Sequence, residues 1–452
     1  MYSIVTTPVP SRRFRESLQL AALESLLPDA EITAICRDIG HGWRDRQLPP
    51  GPTVRSMVYR GLNPDHSIAA VLADLAAMLG PDVAAPTDAA WCQARSRLPE
   101  AVLTELIFRR ALECRRRFGQ ACRWHERWVF RIDGSTVSMP DTPSLAQEFG
   151  YSRGSHGASR FPIARLTFIE LAGLNVIWNY RMDDYRCSEE AQLFDMWHTL
   201  PTGCICLLDR KFCSFYILAK LRQRHIGAVT PLHQWRDPHK LIRYGQPLGK
   251  NQWLVQLHIQ PHTRKQYGDP TLPKVLPVRL IRVVFLRGGK LKTLWLVTTL
   301  MDPDKYPREE VAELYRVRWQ IEPRIGSLKT TLEMNVLRSK GPQAARREVA
   351  AIILGHNLVW TLIHESAIAT DTPVEDISFA GAVKVTLAFS SAILHASRRT
   401  RRRLHQKMLR QIARQTNHHP FGRVEPRRIR RNPVRYPFLQ EPRWKARLKC
   451  LS

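Results

Sequence analysis

The sequence is poor in acid: 40 Asp and Glu stand against 69 Lys and Arg, a formal net charge of +29 on 452 residues. It lacks several other things. None of its nine cysteines forms a CxxC pair or a zinc-like Cys and His spacing, so a zinc module is excluded, and the odd, scattered set reads as reduced cytosolic thiols. The longest apolar runs, such as Val349 to Leu354, are far too short for the roughly 30 Å core of a bilayer. The first 27 residues mix Pro and Arg with no basic-then-apolar leader, so no secretory signal is expected. There is no internal repeat and no low-complexity linker. A cytoplasmic, nucleoid-associated protein with no membrane partner is expected.

What is present completes the class. Hydrophobic residues make up 44% of the chain, enough for full cores, and the length suits two or three domains of roughly 150 residues. A field of +29 concentrates polyanions at the surface, which makes nucleic acid the leading partner. The excess is uneven: Arg398 to Ser452 carries 18 basic and 2 acidic residues. That stretch reads either as a phosphate-binding arm, with Arg401-Arg402-Arg403 and Arg427-Arg428 on DNA phosphates, or as a basic segment solvated or docked on its own protein.

Punctuation by Pro and Gly divides the chain. Residues 1 to 122 are helical, with apolar residues near helical period in Leu18 to Leu27, Ile68 to Leu79 and Val102 to Leu112, and breaks at Pro49, Pro50, Pro52, Pro81 and Pro86. From 123 to 233 the pattern becomes strands at Trp128 to Ile132, Leu166 to Leu171 and Val176 to Met182, a helix from Ser188, a fully apolar strand at Cys204 to Leu208, a helix from Phe215 and a fifth strand near Ala228. Residues 234 to 300 are rich in strands and form an insertion, with Gly288-Gly289 offering a hairpin turn. Helical period returns over 301 to 365, with Pro307 in a first turn, and 366 to 452 is the basic C-terminal region.

Three acids stand out. Asp133 directly follows the first predicted strand and Asp209 the fourth, and strand ends are where α/β sheets place reactive groups, although either alone is also an ordinary turn residue. The third lies in Tyr315-x2-Arg318-x3-Glu322-x6-Lys329. At about 100° per residue, all four fall in a helical stripe about 60° wide, an odd composition for a face that packs a core. The plainer alternative is a solvated ion-pair ladder with Arg318 and Glu322 at i,i+4. Pro323 interrupts the pattern, so the helix either kinks at Glu322 or restarts with Pro323 in its first position.

This signature, with "RIDGSTV" around Asp133 and "LLDRKF" around Asp209, resembles the insertion-sequence-four family of bacterial DDE transposases. The likeness continues through "QARSRLP", "LWLVTTL", "RWQIE", "LKTTLEM" and "RRNPVRYP", over nearly the whole chain. It implies an α/β fold: an RNase H-like catalytic core interrupted by a β-rich insertion, preceded by a helical DNA-binding domain and followed by the basic region. By the same resemblance, Asp133, Asp209 and Glu322 would be the metal-binding triad of a cut-and-paste enzyme that acts on transposon ends and target DNA as a homodimer or larger synaptic complex. Lys211 stands where the family usually has Gly.

The residue types suit that chemistry. In-line phosphodiester displacement is served by two divalent ions about 3.5 to 4 Å apart, and hard ions such as Mg²⁺ or Mn²⁺ take carboxylate oxygens. Tyr315, Arg318 and Lys329 would hold the backbone phosphate, with Arg210 a lesser candidate. Trp295 lies about where relatives receive a flipped base, or is simply a core Trp in a strand. Two alternatives share the composition: a nuclease without strand transfer, and an inactive transposase-derived DNA-binding protein.

Overall fold

The computed structural model of the protein describes residues 27–43, 48–64, 67–78, 86–154, 157–287, 290–394 and 396–417. Among the described residues five helices come first: α1 (Asp29–Asp38), α2 (Pro50–Leu62), α3 (Ile68–Met78), α4 (Asp88–Arg97) and α5 (Glu100–Phe118). Pro49, Pro50 and Pro52, read as breaks, are a helix start, and Pro81 lies outside the described residues. Pro49 is the N-cap of α2 and Pro50 its first residue, where a missing N–H costs nothing. Of the expected Leu18 to Leu27 helix, all but Leu27 lies outside the described residues.

The centre is a nine-stranded mixed sheet. Its first half consists of β1 (Val129–Ser138), β2 (Ile163–Leu171), β3 (Val176–Asp184), β4 (Ile205–Leu207) and β5 (Gly227–Pro231), with α6 (Pro143–Phe149) after β1, α7 (Glu189–Met196) before β4 and α8 (Phe215–Gln223) before β5. β3, β2 and β1 are antiparallel neighbours, and β4 and β5 continue from β1 in parallel. Ser188 caps α7, its hydroxyl accepting from Ala191 N, and Ser214 caps α8 in the same way. β4 and β5 are buried at every position, which is why they carry no polar alternation.

The second half comprises α9 (Pro238–Arg243), β6 (Gln246–Pro247), β7 (Gln252–His258), α10 (Pro261–Tyr267), β8 (Val275–Arg287) and β9 (Lys290–Thr298). These strands do not make a sheet of their own. β9 pairs antiparallel with β5, so the order runs β3-β2-β1-β4-β5-β9-β8-β7-β6. β5 would otherwise leave a row of unpaired N–H and C=O groups at an edge, and β9 satisfies it. The Gly288-Gly289 turn lies outside the described residues.

Beyond the sheet come α11 (Arg308–Arg316), a 3₁₀ turn (Val317–Gln320), α12 (Ile321–Thr330), α13 (Pro342–Thr370), α14 (Phe379–Leu394) and α15 (Arg398–Ala413). α11 lays Val311, Leu314 and Tyr315 on Val129, Ile205, Leu207 and Leu296, a small core on one face of the central strands. The 29-residue α13 is buried along most of its length and packs against α2, α5, α15 and β3. α2 and α13 cross closely at two glycines: a Cβ on Gly61 would sit 3.3 Å from the Ile352 backbone, and one on Gly355 3.0 Å from Leu62. Among the described residues no helix is long and apolar enough to cross a membrane.

Candidate active site

Asp133 is not after the first strand but within it. β1 runs on to Ser138, because β2 pairs with it along that whole length. β1 and β4 are in register with Arg131 opposite Leu207, so Asp133 and Asp209, each two residues further on, stand at matching positions past the parallel segment. Asp209 caps the short turn Arg210–Phe212, accepting from the Lys211 N–H, and its own carbonyl accepts from Thr230 Oγ1 at 2.8 Å. Lys211 is not among the residues with positive φ, so the turn does not depend on the Gly usual in the family.

Asp133 Oδ1 accepts from Gly134 N at 2.9 Å, and Oδ2 lies 3.8 Å from Arg318 Nη1. Burial pushes its carboxyl up to about 6; Arg318 and the Gly134 N–H oppose that, while the charges of Asp209 and Glu189 push it further. Asp133 thus stands half-withdrawn from water beside two further carboxylates, Asp209 and Glu189, with Arg318 as the main counter-charge. This is a donor set that suits a hard divalent cation. Among the described side chains no three acids, histidines or cysteines already form a metal cage, and the Glu322 side chain is not one of those described.

The signature does not lie on one straight helix. Tyr315 is the penultimate residue of α11, Arg318 lies in the 3₁₀ turn, and Glu322 and Lys329 lie on α12. The helix restarts one residue before Glu322, with Pro323 third in α12, where the first-turn N–H groups have no intrahelical partner to lose. The stripe calculated for an unbroken helix therefore does not apply. Tyr315 and Arg318 are both buried, the guanidinium 5.9 Å from the phenol ring, and burial raises the Tyr315 hydroxyl far above its ordinary range. Lys329 is partly buried, which lowers its ammonium, and Arg210 is exposed. Trp295 is half-buried in a cluster with Trp253, His239 and Arg282.

Two supports were not foreseen. Arg131 is fully buried; it donates to Glu170 Oε1 at 2.7 Å, to Asn175 Oδ1 at 2.9 Å and to the Val317 carbonyl at 3.3 Å, tying β1 and β2 to the turn that carries Arg318. Glu189, first residue of α7, lies over Gly134: a Cβ there would be 2.3 Å from its carboxyl carbon. Its carboxylate stands 3.4 Å from Arg165 and 3.8 Å from Lys211, bridging the neighbourhoods of both aspartates. The only sequence signal was the Gly after Asp133, which makes room for Glu189.

Paired carboxylates at matching positions past a parallel strand pairing, with arginines beside them in a strongly basic chain, belong to enzymes acting on phosphodiesters. Residues 124–358, more than half of the sequence, match the family described as transposase DDE domain, and the chain belongs to that family. It is a DNA transposase, a DNA-cleaving and strand-transferring enzyme. It is similar to the transposase InsG of insertion sequence element IS4 from Escherichia coli, 24% identical over 320 residues, which are 70% of each chain. It is also similar to the transposase of insertion sequence element IS421 from Escherichia coli, 38% identical over 71 residues, 16% of this chain and 19% of that one. A piggyBac transposase synaptic complex with hairpin DNA aligns with a TM-score of 0.43 at 10% identity, over 90% of this chain and 88% of that one. Enzymes of the DDE family generally use divalent metal ions.

Proposed function

We propose that Asp133, Asp209 and Glu322 form the catalytic triad of this transposase, in an RNase H-like core made of β1 to β5 and the helix α12. The observation that carries this is the matching placement of Asp133 and Asp209 on adjacent parallel strands, with Asp133 held at about 6 by burial and by neighbouring carboxylates. Two Mg²⁺ or Mn²⁺ ions held by the triad would activate the attacking oxygen and stabilise the leaving one. Arg318 and the buried Arg131 network keep Asp133 in place, with Tyr315 packed beneath. Arg210 and Lys329 hold the scissile phosphate, and Trp295 stacks an unpaired base if its cluster opens.

The reaction has two in-line displacements. Water attacks the phosphorus at the element end, its proton passes to solvent, and the departing oxygen becomes a 3′-OH. That hydroxyl then attacks a target phosphodiester, forming the new bond as the target strand's own 3′ oxygen leaves. Pairing two ends calls for a homodimer or larger synaptic complex. Residues 1 to 122 and the basic 366 to 452 region flank the core as DNA-binding parts, on either side of the β-rich 234 to 300 segment.

The test is cleavage and strand transfer of a labelled end fragment with Mg²⁺ or Mn²⁺. Asp133→Asn, Asp209→Asn and Glu322→Gln are each expected to lower both steps by at least about 10³-fold while duplex binding persists. Binding without cutting in the wild type as well would identify a DNA-binding relic. Cutting without joining would identify a nuclease.

A further inference from the structure

A second polar site lies away from the acids, where α2 and α4 meet the segment after α12 and the start of α13. It is a small pocket, about 30 Å³, open to solvent, and its walls include Arg60, Asn63, Arg95, Arg338, Glu333 and Glu348. Three guanidinium groups face two carboxylates there. The carboxylates are already engaged: Glu348 accepts from the backbone N–H groups of Arg338 at 3.1 Å and Ser339 at 2.9 Å, and Glu333 accepts from Arg338 Nη2 at 3.2 Å. Arg60 reaches Glu348 only at 3.8 Å.

Donors are in surplus as a result. Arg60 Nε and Asn63 Nδ2 are buried with no hydrogen-bond partner among the described residues. A buried donor without an acceptor is unfavourable, so this pairing deficit is a preference for an acceptor. Arg95 lies over Trp91, its guanidinium carbon 4.8 Å from the ring centre, and Trp91 is itself fixed by donating to Ser56 Oγ at 2.9 Å. Burial lowers the Arg60 guanidinium first; Glu348 opposes this, the neighbouring Arg95 and Arg338 charges lower it further, and Cys92 opposes weakly.

We infer that this pocket binds a backbone phosphodiester of DNA, with Arg60, Arg95 and Arg338 as its cationic donors and Asn63 as a neutral one. Arginine forks match phosphate oxygens in pairs, and a phosphate supplies the acceptors that the pocket lacks. The site offers no free aromatic face for a base, so it positions DNA without reading it. Because Arg60 and Arg95 come from the N-terminal helices and Arg338 from the segment leading away from α12, one phosphate held there would clamp those helices to the Glu322 helix. The choice of DNA as ligand rests on the transposase reading; the surplus of donors does not.

The experiment uses the full chain, without divalent metal so that no cutting occurs, and a fluorescent 30-base-pair duplex whose binding is followed by anisotropy between about 50 and 200 mM salt. Arg95→Gln and Arg338→Gln are each expected to weaken binding about 5- to 30-fold and to lower the salt slope by about 1. Arg60→Gln, which disturbs a partly buried group, is read beside them against its melting temperature. Folded Arg95→Gln and Arg338→Gln proteins with wild-type affinity and slope would overturn the inference. So would inorganic phosphate raising the melting temperature of wild type but not of the variants while duplex affinity stays equal, because the pocket would then hold free anions only. If the wild type binds no duplex at any salt, the transposase reading itself falls and this inference with it.

Discussion

Asp133 concentrates the chemistry in one side chain, and its titration is the most direct check on the site. Its carboxyl lies at about 6 in the folded protein, against an ordinary value near 4. The folded state therefore keeps the proton longer than the unfolded chain does. The stability this gives is complete below about 4 and is lost as the pH rises through 4 to 6. In chelator at pH 7.5, Asp133→Asn is expected to be more stable than wild type by about 1–3 kcal/mol, with the gap closing below pH 4. Thermal melts across that range, repeated with Mg²⁺, read it directly, since added metal should stabilise wild type and not the variant. A difference that does not change with pH would mean that burial does not hold the carboxyl up. Arg131 tests the support beneath it: Arg131→Met strands Glu170 as a lone buried charge, and chemical denaturation should show a loss of about 3–5 kcal/mol.

At the scale of elements, Asn357 ties α13 to the sheet. Asn357 is fully buried; its Oδ1 accepts from Ile177 N at 2.8 Å and its Nδ2 donates to the Ile177 carbonyl at 2.8 Å. It thereby meets both backbone groups of a residue on β3, the edge strand of the sheet. Asn357→Leu keeps the volume and leaves both groups unpaired, so a loss of about 2–4 kcal/mol is expected in urea denaturation. The element that was hardest to read is α12. Pro323 pointed to a kink or a restart, and the chain restarts after a 3₁₀ turn that also turns Arg318 toward Asp133. Short helices opened by proline, at Pro50, Pro238 and Pro261, were passed over because proline signals a break as readily as a first turn.

Over the whole molecule the positive charge sets how DNA is approached. α15 buries Met408, Leu409 and Ile412 and leaves Arg402 and Arg403 exposed, so part of the basic C-terminal region is a packed helix with a cationic outer side. The segment with Arg427-Arg428 and "RRNPVRYP" lies outside the described residues. Replacing Arg402 and Arg403 together by Gln should lower the slope of log affinity against log salt by up to about 2 and leave the melting temperature unchanged. Titrations of duplex DNA at four salt concentrations would show it. An unaltered slope would make α15 a solvated structural helix and place the DNA elsewhere.

The sequence by itself determined the things that depend on residue type and local spacing. These are the excess of base over acid, the strand-helix alternation around two aspartates, the four-residue signature that carried the family resemblance, and the fully apolar β4. Periodicity reports which face of an element is buried, and it says nothing about which neighbour buries it. Only the tertiary structure decided that β9 continues the sheet from β5, that Asp133 and Asp209 share a register, and that Arg318 is buried beside Asp133. The buried Arg131–Glu170 pair, Glu189 in the space over Gly134 and the donor-rich pocket at Arg60 were equally invisible, because each joins residues that are distant in the chain. Such contacts exist only once strand pairing and helix packing have fixed the distances over which charges and hydrogen bonds act.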